Sequence, residues 1–164
     1  MTLEDLAKAV EGLRRSRPFI VGITGAVASG KSTLAAMLAP RLGGAVEVAC
    51  TDGFLYPNAI LAERGLELRK GRPETYDLEA LATALRSVRS GPVSIPAYSH
   101  ITYDVDPALA RQIVTPDTLI IEGLALGLER PSAPDLIDCL IYIDAAEADL
   151  ESWFVARFMA LWEA

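Results

Sequence analysis

Phe19-Ile20-Val21-Gly22-Ile23-Thr24-Gly25-Ala26-Val27-Ala28-Ser29-Gly30-Lys31-Ser32-Thr33 is the stretch that decides the fold. An apolar run of strand length, Phe19 to Thr24, gives way to a helical pattern, and Gly25 to Ser32 between them fits G-x-x-x-x-G-K-[ST]. Glycines let the backbone turn back until successive N–H groups point into one hollow at a helix start, where they donate to phosphate oxygens. Lys31 adds a mobile positive charge for β- and γ-phosphates, and Ser32 a hydroxyl able to ligate the Mg²⁺ between them. The stretch predicts a nucleoside triphosphate site built from Gly25, Ala26, Val27, Ala28, Ser29, Gly30, Lys31, Ser32 and Thr33, with ATP and Mg²⁺ bound there. It leaves open where the γ-phosphate goes.

Working outward, Thr2 can cap a helix whose Leu3, Leu6, Val10 and Leu13 share a face and which ends before Pro18. Arg14, Arg15 and Arg17 fall at its C-terminal end, where cations meet the negative end of the helix dipole. After the loop, Leu34, Leu38 and Leu42 line a helix stopped by Pro40 and Gly43-Gly44, and Val46 to Thr51 reads as a second buried strand. Asp77 is placed to cap a helix with Leu78, Leu81, Leu85 and Val88 inward, ended by Gly91-Pro92. Val93 to Tyr98, Thr118 to Ile121 and Cys139 to Ile143 are further strand candidates. Between Phe54 and Tyr76 runs a long polar connection, a type that is usually functional or mobile. Strands alternating with helices predict one α/β domain over residues 1–164, of the P-loop NTPase type: a mostly parallel sheet with helices on both faces, preceded by an N-terminal helix within residues 1–17.

A chain of 164 residues with net charge −7 lacks the clustered Lys/Arg that a nucleic-acid or anionic-membrane surface needs. No apolar run approaches the roughly 20 residues of a membrane span. Cys50 and Cys139 lie in apolar runs, which suits free buried thiols and predicts a cytoplasmic protein.

Phosphoryl transfer also needs a group that orients or deprotonates the acceptor, and positive charge for the moving phosphoryl. Asp52, at the carboxyl edge of the second strand, is the best-placed carboxylate for the first task, although Asp-Gly is also a common turn. Glu122 closes the hydrophobic run Thr118-Leu119-Ile120-Ile121, as in a Walker-B-like segment, and is a candidate for Mg²⁺ or its water; capping the strand end is the alternative. His100 is the only histidine and titrates near neutrality, so it is either a surface residue or a donor to phosphate or substrate oxygens. In the last helix, Asp144 and Glu147 have capping-box spacing ahead of an apolar stripe of Leu150, Trp153, Phe154, Phe158 and Leu161. Arg157 lies within that stripe and needs a partner, either an internal carboxylate or a phosphate at the loop.

Four segments in order carry a resemblance: Thr51-Asp52-Gly53-Phe54-Leu55-Tyr56-Pro57-Asn58; Arg69-Lys70-Gly71-Arg72-Pro73-Glu74-Thr75-Tyr76-Asp77; Tyr98-Ser99-His100 with Tyr103-Asp104; and Ile121-Glu122-Gly123-Leu124. Together with Trp153-Phe154-Val155-Ala156-Arg157-Phe158, they resemble the bacterial type I pantothenate kinases of the phosphoribulokinase and uridine kinase superfamily, from about Pro18 onward. The resemblance implies ATP-dependent phosphorylation of the primary hydroxyl of pantothenate, a step of coenzyme A synthesis. It implies Asp52 as the acceptor-orienting base, Lys31 and Arg157 as phosphate-stabilising cations, and Tyr98, His100 and Phe154 as walls of the acceptor pocket. A homodimer is implied as well.

Three features depart from that pattern. Phe154 replaces a Tyr whose hydroxyl touches the acceptor, and Ala36 replaces an Arg that binds coenzyme A as inhibitor. The family's N-terminal extension and the C-terminal segment that completes the acceptor pocket are also missing. With an uncapped end at Leu161-Trp162-Glu163-Ala164 and a mean hydropathy of +0.28, the natural protein is expected to continue past Ala164. A related uridine, sugar or glycerate kinase and a non-catalytic nucleotide-binding protein are the competing readings.

Overall fold

The computed structural model describes residues 1–126 and 136–162, the side chains at 157 and 160–162 excepted. Chain order is α1 (Leu3–Leu13), β1 (Phe19–Gly25), α2 (Lys31–Leu38), β2 (Val46–Cys50), α3 (Asn58–Glu63), α4 (Leu78–Ser87), β3 (Val93–Ser99), β4 (Asp104–Ile113), β5 (Thr118–Glu122), β6 (Cys139–Ile143) and α5 (Glu147–Trp162). Four strands form a parallel sheet in the order β2-β5-β1-β6.

A strand that sits between two others and is covered on both faces must be apolar at every position. All seven residues of β1 are buried, and so are all five of β5. Alternation sends Phe19, Val21 and Ile23 with Ile120 toward α1 and α2, where Ala7, Val10, Ala35 and Leu38 meet them. It sends Ile20, Leu119 and Ile121 to the opposite face, against Leu81, Leu85 and Val88 at α4. Helices therefore cover both faces, as the sequence predicts. Each fully buried Ile or Leu in this sandwich contributes roughly 1.5–3 kcal/mol relative to exposure.

The predicted caps divide. Thr2 forms a complete capping box with Asp5, and Asp77 accepts from the Ala80 N–H. At α5 the Ala146 carbonyl accepts from Leu150, so Ala146 takes the N-cap place expected of Asp144. Arg15 donates to the Gly12 carbonyl at the end of α1, and Arg17 pairs with Asp117 at 3.0 Å.

One expectation is corrected. β3 does not join the parallel sheet: it pairs antiparallel with β4, a strand the sequence pattern did not reveal. The pairing shifts register between Ile95 and Ala97, with Ile95 opposite Arg111 and Ala97 opposite Asp106, so residues 107–110 of β4 face Pro96 alone across the irregularity. The long polar connection carries α3 and the short 3₁₀ turns Glu67–Arg69 and Pro73–Thr75.

Candidate active site

Sheet register builds the site. Cys50 at the end of β2 and Ile23 near the end of β1 both pair with Glu122 at the end of β5. The three strands thus finish at one level, and their carboxyl ends hold the phosphate loop, Glu122 and the turn Thr51–Phe54 that carries Asp52.

The loop's backbone requires its glycines. Gly25 has φ +146°, and a Cβ there would lie 2.6 Å from the Ile143 carbonyl oxygen; Gly30 has φ +87° at the N-cap of α2. Gly30 supplies no capping side chain, and a helix start without one is what an anion site needs. Ala28 also adopts a left-handed φ of 64°, a strained geometry of the kind concentrated at ligand clamps. The Lys31 Nζ donates to the Gly25 and Ala26 carbonyls at 3.2 and 2.7 Å, which holds the ammonium against the loop.

A cavity of about 480 Å³ opens on this loop. Val27, Ala28, Gly30, Lys31, Ser32 and Thr33 of the loop and the start of α2 line it, together with Cys50, Asp52, His100, Glu122, Gly123, Leu124 and Trp153. A second cavity of about 220 Å³ shares Cys50, Asp52 and His100 and extends to Gly53, Tyr98 and Arg111. Asp52 and His100 thus stand in the wall between a phosphate side and a side lined by the β3-β4 hairpin. An apolar slot of about 420 Å³ lies beyond the loop, lined by Ser29, Leu34, Met37, Ile143 and Trp153 among others.

Asp52 accepts from the Tyr76 hydroxyl at 3.1 Å. The His100 ring meets Tyr98 edge-on, centroids 5.3 Å apart, and the Lys70 ammonium lies 4.8 Å over the other aromatic partner, Tyr98. Burial, then the charges of Asp52 and Asp104, push the Tyr98 phenol up. Burial, then Asp52 and Glu122, push the Cys50 thiol up strongly, so that it stays a neutral wall.

Glu122 is buried at 6% exposure, and one of its oxygens accepts from the Ser32 hydroxyl at 3.0 Å. A hydroxyl and a carboxylate oxygen side by side at the phosphate end suit Mg²⁺, which takes one or two protein oxygens and fills its octahedron with phosphates and water. Among the described residues no group of three His, Cys, Asp or Glu forms a protein-only metal cage.

Of the residues singled out from sequence, Lys31, Ser32, Thr33, Asp52, His100 and Glu122 line one cavity, and Tyr98 adjoins it through the second. Gly25 and Ala26 lie behind, at the Lys31 ammonium, and Ser29 faces the apolar slot. Phe154 lines none of the three; Trp153, one helical step of 100° away, does. Arg157 belongs to α5, but its side chain, like that of Leu161, lies outside the described residues. Tyr76, Cys50, Gly123 and Trp153 were given no site role from sequence, because their roles come from contacts across distant segments.

A parallel sheet with a glycine-rich loop joining its central strand to a helix, and acidic side chains at the same strand edge, defines a P-loop nucleotide-binding protein of the kinase type. The model of the phosphoribulokinase / uridine kinase family matches residues 20–157, and the chain belongs to that family. It is similar to the pantothenate kinase of Sorangium cellulosum strain So ce56, 46% identical over 157 residues covering 88% of this chain and 51% of the relative. The pantothenate kinase of Shouchella clausii strain KSM-K16 is 41% identical over 173 residues, covering 96% of this chain and 55% of the relative. The chain thus spans about half the length of the curated relatives it matches. Among solved structures, a kinase attributed to a fructose transport system in Silicibacter sp. TM1040 superposes with a TM-score of 0.89. It is 31% identical, with 98% of this chain and 82% of that one covered.

Proposed function

We propose that this chain carries the catalytic half of an ATP-dependent kinase that transfers the γ-phosphoryl group to the primary hydroxyl of pantothenate. The observation that carries the proposal is that Lys31 and Ser32 of the phosphate loop line the same cavity as Asp52 and His100. A pure nucleotide binder has no use for a second carboxylate in the phosphate cavity, whereas a kinase needs one for its acceptor.

In this reading Gly25 to Thr33 cradle the phosphates. Lys31, with Arg157 from α5, meets charge that develops on the transferring group. Asp52 accepts the hydrogen bond of the acceptor hydroxyl and aims its lone pair along the line of attack, taking the proton as the bond to phosphorus forms. Tyr98 and His100 wall the acceptor side. Ser32 and Glu122 are the residues that would hold Mg²⁺, which when bound supplies charge neutralisation between the β- and γ-phosphates. The similarity to pantothenate kinases supports the choice of acceptor.

A sugar acceptor is the second reading, favoured by the similarity to the Silicibacter kinase over 82% of that chain. Assembly as a homodimer belongs to the proposal, supported by Trp153, Phe154, Val155 and Phe158 standing about half exposed on α5. So does a cytoplasmic setting, supported by the free thiols Cys50 and Cys139. Among the described residues no helix is long and apolar enough to cross a membrane.

The test is a panel of pantothenate, uridine, glycerate and fructose, each with MgATP, read by ADP release and product mass. Phosphopantothenate as the main product is expected. Phosphorylation of fructose or uridine with pantothenate untouched would overturn the assignment.

A further inference from the structure

Tyr76 lines none of the three cavities, yet its ring is buried at 3% exposure and its hydroxyl reaches Asp52 Oδ1. An ionised carboxylate can only accept, so the phenol is the donor. Two backbone hydrogen bonds fasten this residue to the turn that carries Asp52. The Tyr56 N–H donates to Thr75 O at 2.9 Å and the Asp77 N–H to Phe54 O at 2.8 Å, and together they make the isolated antiparallel bridge of Leu55 with Tyr76. Asp77 is at the same time the N-cap of α4, so the clasp is anchored to a helix packed on the sheet. The turn is fixed from its other side at Gly53, where a Cβ would lie 2.1 Å from the Pro96 carbonyl oxygen.

A carboxylate on a short turn has two free torsions, and transfer needs one oxygen directed at the acceptor hydroxyl within a few tenths of an ångström. A rigid donor on Oδ1 removes that freedom and leaves Oδ2 to the substrate. Burial first, and the charge of Asp52 second, push the Tyr76 phenol up, so it remains a donor across the working pH range and does not compete for the acceptor's proton.

We infer that Tyr76 is a positioning residue for phosphoryl transfer, acting through Asp52 by fixing its carboxylate with Oδ1 occupied. The inference rests on Asp52 being the acceptor-orienting base.

The experiment is a double-mutant cycle on the full chain, with steady-state kinetics in MgATP and pantothenate and calorimetric MgATP affinity as the check on folding. Tyr76→Phe keeps the buried ring and removes only the hydroxyl. Loss of a hydrogen bond to a charged group predicts kcat lower by roughly 10- to 100-fold, with KM for pantothenate and MgATP affinity changed less than about 3-fold. In an Asp52→Asn background, Tyr76→Phe should alter the residual rate less than about 2-fold, because the group it positions is gone. Asp52→Asn inactive but Tyr76→Phe fully active would overturn the positioning role alone. So would equal losses from Tyr76→Phe in both backgrounds, or a loss carried by KM. Full turnover in Asp52→Asn would overturn the base assignment and this inference with it.

Discussion

Replacing Gly123 with Ala tests whether the ends of β5 and β2 fit together as closely as the site requires. Gly123 has φ +148°, and a Cβ built on it would fall 1.8 Å from Thr51 Oγ1 and 2.9 Å from Thr51 Cβ. Rotating the Thr51 side chain moves Oγ1 but leaves its Cβ in place, and Thr51 is fully buried. The backbone must therefore give way. A strained φ costs about 1–3 kcal/mol and overpacking about 1–3 more, so the expected loss is about 4 kcal/mol in all. At about 3 °C per kcal/mol for a domain of this size, the thermal midpoint should fall by about 12 °C. Thermal unfolding followed by circular dichroism reads the shift, and MgATP protection should shrink, because Glu122 precedes the displaced residue. Adding Thr51→Ala removes Oγ1 and the methyl but not the Cβ contact, so about half the loss should return. A midpoint within 2 °C of wild type for Gly123→Ala, or no recovery in the double variant, would refute the reasoning.

Two further outcomes follow from the site. Lys31→Ala should weaken MgATP binding at least tenfold in calorimetry, because it removes the mobile charge that the loop holds through the Gly25 and Ala26 carbonyls; unchanged affinity would count against the loop's role. Cys50 is held protonated in the folded state by burial and by the charges of Asp52 and Glu122, above the ordinary thiol value of 9.0. A raised acid contributes stability that is complete below its unfolded pKa and is lost as pH rises beyond it, so the midpoint should drop between pH 8 and 10, and Cys50→Ala should flatten that drop. An equally steep drop in the variant would contradict this.

The phosphate loop was legible because its chemistry is local: two glycines, a lysine and a serine at fixed spacing between an apolar strand and a helix. β1 and β5 were legible because burial on both faces leaves a continuous apolar run. β4 was not, since Asp104-Val105-Asp106-Pro107 starts with two acids and a proline, and its pairing with β3, shifted between Asp106 and Arg111, comes from contacts the local sequence does not announce. Asp52 could be found as the acid at a strand end, but Tyr76 beneath it could not, since 24 residues separate them and only the clasp at Leu55 brings them together. The Trp153 and Phe154 pair shows the same limit: sequence places both on one stripe, and only the helix's rotation selects Trp153 for the cavity.

The central claim is that one cavity holds both the phosphoryl donor and an alcohol whose attack Asp52 directs. Asp52→Asn tests it with the side chain's size unchanged. MgATP affinity within about 3-fold of wild type, with kcat for pantothenate phosphorylation lower by about 10²- to 10⁴-fold, is the predicted result. Turnover within tenfold of wild type, with nucleotide still bound, would contradict it.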